Sequence, residues 1–254
     1  MKAVGILTCA LTLGLVAPAF GEPVSVKFTE GVAHAFPALR SVGSGKLTQG
    51  EVIAQGELIQ IPHGDRVENR LTFRFRDGSI YDERVVFSQR DTFTLMSYQL
   101  VQKGPSFPES IDAKVDRETG RYEVRYKGDE EAAEEVLQGK IELPNDVYNG
   151  MLCLLLKNMP TRTATTVQNI AFTPKPRLVK MLLTPAGDDT VMMGEVAVPA
   201  TRFLAKPQLG FFASMLVTDL PDSKMWILGG EAPAFLKFEG PLFFMGPIWR
   251  IDWS

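Results

Sequence analysis

Leu71-Thr72-Phe73-Arg74-Phe75-Arg76-Asp77-Gly78-Ser79-Ile80 decides the fold class. Leu71, Phe73 and Phe75 alternate with Thr72, Arg74 and Arg76, the period of two that puts one face of a strand in a core and the other in water. Asp77-Gly78 tolerates positive φ and is a strong hairpin signal. Residues 80–87 then resume an extended pattern. On this reading Arg74 and Arg76 keep the wet face of an antiparallel sheet soluble.

The same pattern continues along the chain. Residues 93–101 read as a third strand, broken by Gly104-Pro105-Ser106-Phe107-Pro108. Ile111, Ala113 and Val115, a turn at Glu118-Thr119-Gly120, then Tyr122, Val124 and Tyr126 make a second hairpin. Later strands are expected at 165–172, 177–184, 191–198, 201–208, 225–228, 235–238 and 248–253, with a turn at Gly187-Asp188-Asp189. Residues 22–68 carry a weaker signal of one or two opening strands among glycine loops. The carboxylates Asp129, Glu130, Glu131, Glu134 and Glu135 read as a hydrated loop or short exposed helix.

One segment reads as a helix, 145–159. Pro144-Asn145-Asp146 supplies a start, with Asn145 as N-cap. Val147, Tyr148, Met151, Leu152, Leu155 and Met159 fall at helical spacing, and Leu154 and Leu156 widen the apolar stripe. A helix so apolar must be buried in protein, and the concave side of the sheet is the place for it. Residues 209–220 form a second apolar stretch that suits either a short helix or a buried strand. The expectation is a mainly β protein, a large curved antiparallel sheet or half-barrel enclosing an apolar helix, with residues 22–254 as one domain.

The first 21 residues read as a cleavable export signal. Lys2 precedes an uncharged, largely apolar run from Ala3 to Val16, and Ala19-Phe20-Gly21 places small residues at the two positions a signal peptidase reads. Cleavage is expected after Gly21, for a periplasmic or secreted product with no membrane-spanning segment left in it. Loss of Lys2 moves the formal charge from −3 to −4. With no basic footprint, nucleic acid is not an expected partner. Cys9 leaves with the signal, so Cys153 stands alone between Leu152 and Leu154 and reads as a small buried side chain.

Catalytic motifs are missing. There is no G-x-S-x-G elbow, no phosphate-cradling glycine loop and no zinc spacing around the only histidines, His34 and His63. No catalytic residue, metal or other cofactor is therefore assigned. The C-terminal third is instead rich in methionine and aromatic residues, which make adaptable linings for apolar ligands and equally well fill a core. Met151, Leu155, Phe211, Phe212, Met215 and Trp226 are the candidate ligand-binding residues, for a lipid or other apolar small molecule.

Several phrases together carry a resemblance. They are the stretch 71–79, Val101-Gln102-Lys103-Gly104-Pro105, Leu143-Pro144-Asn145-Asp146 with Asn149-Gly150-Met151, Thr173-Pro174-Lys175-Pro176-Arg177-Leu178-Val179, Gly229-Gly230-Glu231-Ala232-Pro233-Ala234-Phe235, Glu239-Gly240-Pro241-Leu242 and Gly246-Pro247-Ile248-Trp249. The chain resembles a family of uncharacterised exported bacterial proteins, which implies export and no particular activity. In architecture the expected sheet and helix are similar to the half-barrel lipoprotein carriers LolA and LolB, without a shared motif. Three functions follow as expectations: a non-enzymatic carrier or binder of an apolar ligand, an envelope scaffold or interaction module with a packed core, and a hydrolase with an unfamiliar site using His34 or His63.

Overall fold

The computed structural model describes residues 21, 23–43, 48–128, 131–208 and 221–253. It is mainly β, 61% strand and 3% helical. The first half contains β1 (Ala33–Ala35), β2 (Pro37–Ser41), β3 (Val52–His63), β4 (Arg66–Phe75), β5 (Ile80–Gln89), β6 (Phe93–Lys103), β7 (Ser110–Asp116), β8 (Arg121–Lys127) and β9 (Glu135–Lys140). The helix α1 (Leu152–Asn158) leads into β10 (Thr165–Phe172), β11 (Pro176–Met193), β12 (Val196–Gln208), β13 (Ser223–Leu228), β14 (Ala234–Gly240) and β15 (Trp249–Trp253).

All the strands join one open antiparallel sheet in the order β10-β11-β12-β13-β14-β15-β2-β3-β4-β5-β6-β7-β8-β9. Two meanders, β2 to β9 and β10 to β15, meet where β15 lies beside β2, with Trp249 opposite Ser41 and Ile251 opposite Leu39. β1 continues β2 along the same flank of β3. The sheet bends strongly. Tyr98 of β6 and Phe172 of β10 stand far apart in strand order, yet their rings stack at 6.0 Å.

The local chemistry explains the hairpins. At the β4–β5 turn Gly78 takes φ +87°, Phe75 N–H donates to Ser79 O, and Ser79 N–H donates to the Asp77 carboxylate at 2.9 Å. Phe73 is fully buried while Arg74 and Arg76 are exposed, as period two requires. The sequence places a turn at residues 187–189, but the structure carries β11 straight through it. A register shift between Pro185 and Asp188 absorbs the irregularity as a bulge, because β12 continues to supply ladder partners on both sides of it.

The predicted helix is also shorter than the sequence pattern suggests. It begins at Leu152, not at Asn145, and Met151 is its cap residue. Backbone groups of the preceding residues are engaged elsewhere. Gln168 N–H donates to Asp146 O at 2.7 Å and Tyr148 N–H donates to Gln168 O at 2.9 Å, so this stretch lies along the edge of β10. Asn149 completes the seal, donating to Ile170 O and accepting from Ile170 N–H. Gly150 then turns with φ +68°, and a Cβ there would sit 3.3 Å from the Glu83 carboxyl carbon and from Val85. Val147, Tyr148, Met151 and Leu155 remain fully buried, the exposure the apolar stripe predicts, in a conformation that is only partly helical.

One core fills the bend. Phe73, Phe87, Phe93, Leu95, Tyr148, Met151, Leu155 and Phe203 have essentially no solvent contact, and each fully buried large apolar side chain contributes about 1.5–3 kcal/mol. Phe107 packs edge-on to Phe75, Phe243 and Trp249. An N-terminal strap closes the open end. Val26 N–H donates to Asp91 O, and the Asn158 carbonyl accepts N–H from both Lys27 and Phe28 while its amide donates to Leu154 O.

Candidate functional site

The wet face of β4 to β9 holds the largest of the three described clefts, about 750 Å³. Strand register builds it. Arg84, Gln99, Lys114, Glu123 and Gln138 stand directly opposite one another on successive strands, forming a rung across β5 to β9. At about 4.8 Å per strand this row spans roughly 19 Å. Ser97 opposite Asp116, and Arg121 opposite Lys140, flank it, and Glu68 closes the β4 end. The groove therefore mixes four cations, Arg84, Lys114, Arg121 and Lys140, with three carboxylates, Glu68, Asp116 and Glu123.

Some of these charges are committed. Glu123 accepts from Arg125 and Gln138. Asp116 accepts from the Thr119 N–H and hydroxyl, and those bonds lower its pKa. At the rim, Asp82 holds Arg70 through two bonds and lies 3.8 Å from Arg84. Lys114, Arg121 and Lys140 are exposed and make no ion pair among the described residues. The arrangement suits an extended polar chain carrying charges of both signs.

Two smaller clefts lie at the other end, around the helix C-terminus. One, about 160 Å³, lies among Lys27, Phe28, Asn158, Met159, Phe203 and Ile227. The other, about 660 Å³, is bounded by Val24, Lys27, Met159, Thr165, Lys180 and Gln208.

Inside the bend a polar seam interrupts the core. Glu83, only partly exposed, turns its carboxyl inward and accepts a 2.7 Å bond from the Tyr98 hydroxyl. Burial raises its pKa, outweighing the hydrogen bonds from Tyr98 and Tyr81. Burial likewise pushes the Cys153 thiol up to about 12, despite Lys157 nearby. A thiol so far from its thiolate is a poor nucleophile.

The six candidate ligand residues do not converge among the described residues. Met151 and Leu155 belong to the main core and line none of the three clefts. Trp226 points to the opposite face, into a small cluster with Val191, Ala200 and Leu236. Its Nε1–H donates to Asp189 at 2.9 Å and Lys237 sits over its ring. Phe211, Phe212 and Met215 lie outside the described residues. His34 pairs with Glu57 at 2.9 Å on an exposed strand, with both side chains about half in water. His63 is exposed at the β3–β4 turn, and neither histidine lines a described cleft.

No group of His, Cys, Asp and Glu able to hold a metal occurs among the described residues, and none of the described helices is long and apolar enough to cross a membrane. Comparison with family models, curated proteins and solved structures finds no match. Functional inference therefore rests on geometry. Sequence reasoning missed the groove because its residues are ordinary wet-face residues of five hairpin strands. Only the register, a long-range property, lines them up.

Proposed function

We propose that the protein is an exported interaction module, in which a packed interior holds a rigid sheet and the β4–β9 groove receives an extended polar segment of a partner protein. The observation that carries this reading is the rung Arg84–Gln99–Lys114–Glu123–Gln138, a mixed-charge track on a face backed by fully buried Phe73, Phe87 and Leu95. Exposed charges of both signs steer and orient a partner more than they tighten it. The test is a photo-crosslinking residue at Gln99, expressed in the native host. A discrete adduct is expected that is absent when the probe sits at exposed Arg74, and that is lost in Arg84→Glu/Arg121→Glu. Equal labelling from both positions, or an adduct indifferent to the charge reversals, refutes the reading.

A second reading is favoured by the 660 Å³ end cleft beside the helix C-terminus. In it that cleft, between the N-terminal strap, the helix C-terminus and β10 to β12, takes an apolar ligand, a lipid or fatty acid. Solvent extraction and mass spectrometry of the purified protein are then expected to find a bound lipid. Absence of co-purifying lipid, together with no binding of a fluorescent fatty acid, would eliminate it. Export itself is checked by the N-terminal sequence of the mature protein, expected to start at Glu22.

A further inference from the structure

The two edges of the sheet are finished differently. β10 is sealed by the 146–149 segment, whereas β9 pairs only with β8 among the described residues. An open edge is a row of unsatisfied N–H and C=O groups that another strand can satisfy. A two-fold axis through a sheet keeps each strand's faces on their own sides, so residues paired across it must have equal parity. One such antiparallel register puts Leu137 opposite itself, Val136 opposite Gln138, and Glu134 opposite Lys140. Leu137 lies on the core face, opposite Val124. Lys140 lies on the wet face, and Glu134, the residue just before β9 begins, has the same parity; both are exposed and without an ion pair among the described residues. In this register each Lys140 meets a Glu134, and the apolar Leu137 meets its own copy. Val136, half-exposed on a single copy, gains a neighbour in Gln138.

We infer that a second copy of this chain docks on β9, making an antiparallel two-fold dimer with Leu137 at the axis. The surface is short, so the association is weak and concentration-dependent. Gln138 and Lys140 also line the wet-face groove, so pairing would run two grooves into one track. The dimer does not depend on what the groove binds.

Sedimentation velocity on the purified protein, over a hundredfold concentration range up to about 300 μM, is expected to show a monomer–dimer equilibrium. Glu134→Lys and Lys140→Glu each replace two attractive cross-strand pairs by repulsive ones and weaken the dimer about tenfold or more. The two substitutions together restore it. The register has its own readout in a Cys153→Ser background. Leu137→Cys is expected to oxidise to a covalent dimer, whereas Val136→Cys and Gln138→Cys link only when mixed. A monomer throughout the range, a dimer that neither reversal weakens, or self-linking at position 136 or 138 but not at 137 overturns the inference. Loss of the Gln99 crosslink with the dimer intact would remove the groove reading alone.

Discussion

Lys157 Nζ lies 2.6 Å from Glu30 Oε1, and the two side chains are 14% and 7% exposed. This pair ties the last turn of the helix to the N-terminal strap, which Gln60 and Gln89 anchor from the sheet side. Removing one partner strands the other charge in a poorly solvated place. Lys157→Met is therefore expected to destabilise the fold by about 3 kcal/mol, and the double variant Glu30→Gln/Lys157→Met by much less than the sum of its parts. Urea denaturation of the four proteins checks the cycle; simple additivity would contradict it.

Glu83 makes stability depend on pH in a defined direction. Its folded-state pKa is raised because burial outweighs the bonds from Tyr98 and Tyr81. The folded form holds a proton that the unfolded chain has released. The stability Glu83 contributes is complete below the ordinary glutamate range and is lost as pH rises through the folded value. Relative to Glu83→Gln, the native protein should lose stability across that window and then run parallel. Paired denaturation curves from about pH 4 to about pH 8 show this, and a constant difference would refute it.

Asn149 substitutes for a missing strand neighbour at Ile170. Its amide donates to the Ile170 carbonyl and its carbonyl accepts the Ile170 N–H, all of it buried. Asn149→Ala leaves both backbone groups unpaired, with an expected loss of about 2–3 kcal/mol. Hydrogen exchange locates the effect: the Ile170 amide should exchange much faster, while Val85 amide protection should follow only the global change.

The Cys153 thiol, pushed up to about 12 by burial, should resist alkylation in the native protein. Iodoacetamide labelling at neutral pH is expected to be slow until denaturant unfolds the chain, then to proceed at the rate of an ordinary thiol. Fast native labelling would show that the interior around Glu83 and Lys157 opens readily.

Much of the fold is legible residue by residue. The 71–80 stretch, the Glu118-Thr119-Gly120 turn and the runs at 165–172 and 225–228 need only period two and turn chemistry. The misread parts share a cause. At Val147 and Tyr148 the helical spacing is real, but pairing of Asp146 and Tyr148 with Gln168, distant in sequence, takes the backbone that a helix would use. At Gly187 the turn chemistry is real, but β12 holds the strand in its ladder and a bulge results. The groove was beyond reach for the same reason. Arg84 and Gln138 become neighbours on one track only through strand order. Trp226 shows the converse, since its composition suggests a cavity lining while the alternation of Met225, Trp226 and Ile227 sends it to the other face.

β15 follows every other described strand in sequence, and its place beside β2 gives synthesis an order. The β2–β9 meander can form from the amino-terminal part alone, with the inner edge of β2 bare. Among the described strands of the later meander only β15 pairs there, so the halves stay unjoined until residues 249–253 emerge. Until then Leu39 has no neighbour at Ile251. A chain lacking residues 249–253 would keep most of its hairpins and lose the seam between them, leaving a sticky edge where the two halves should knit together.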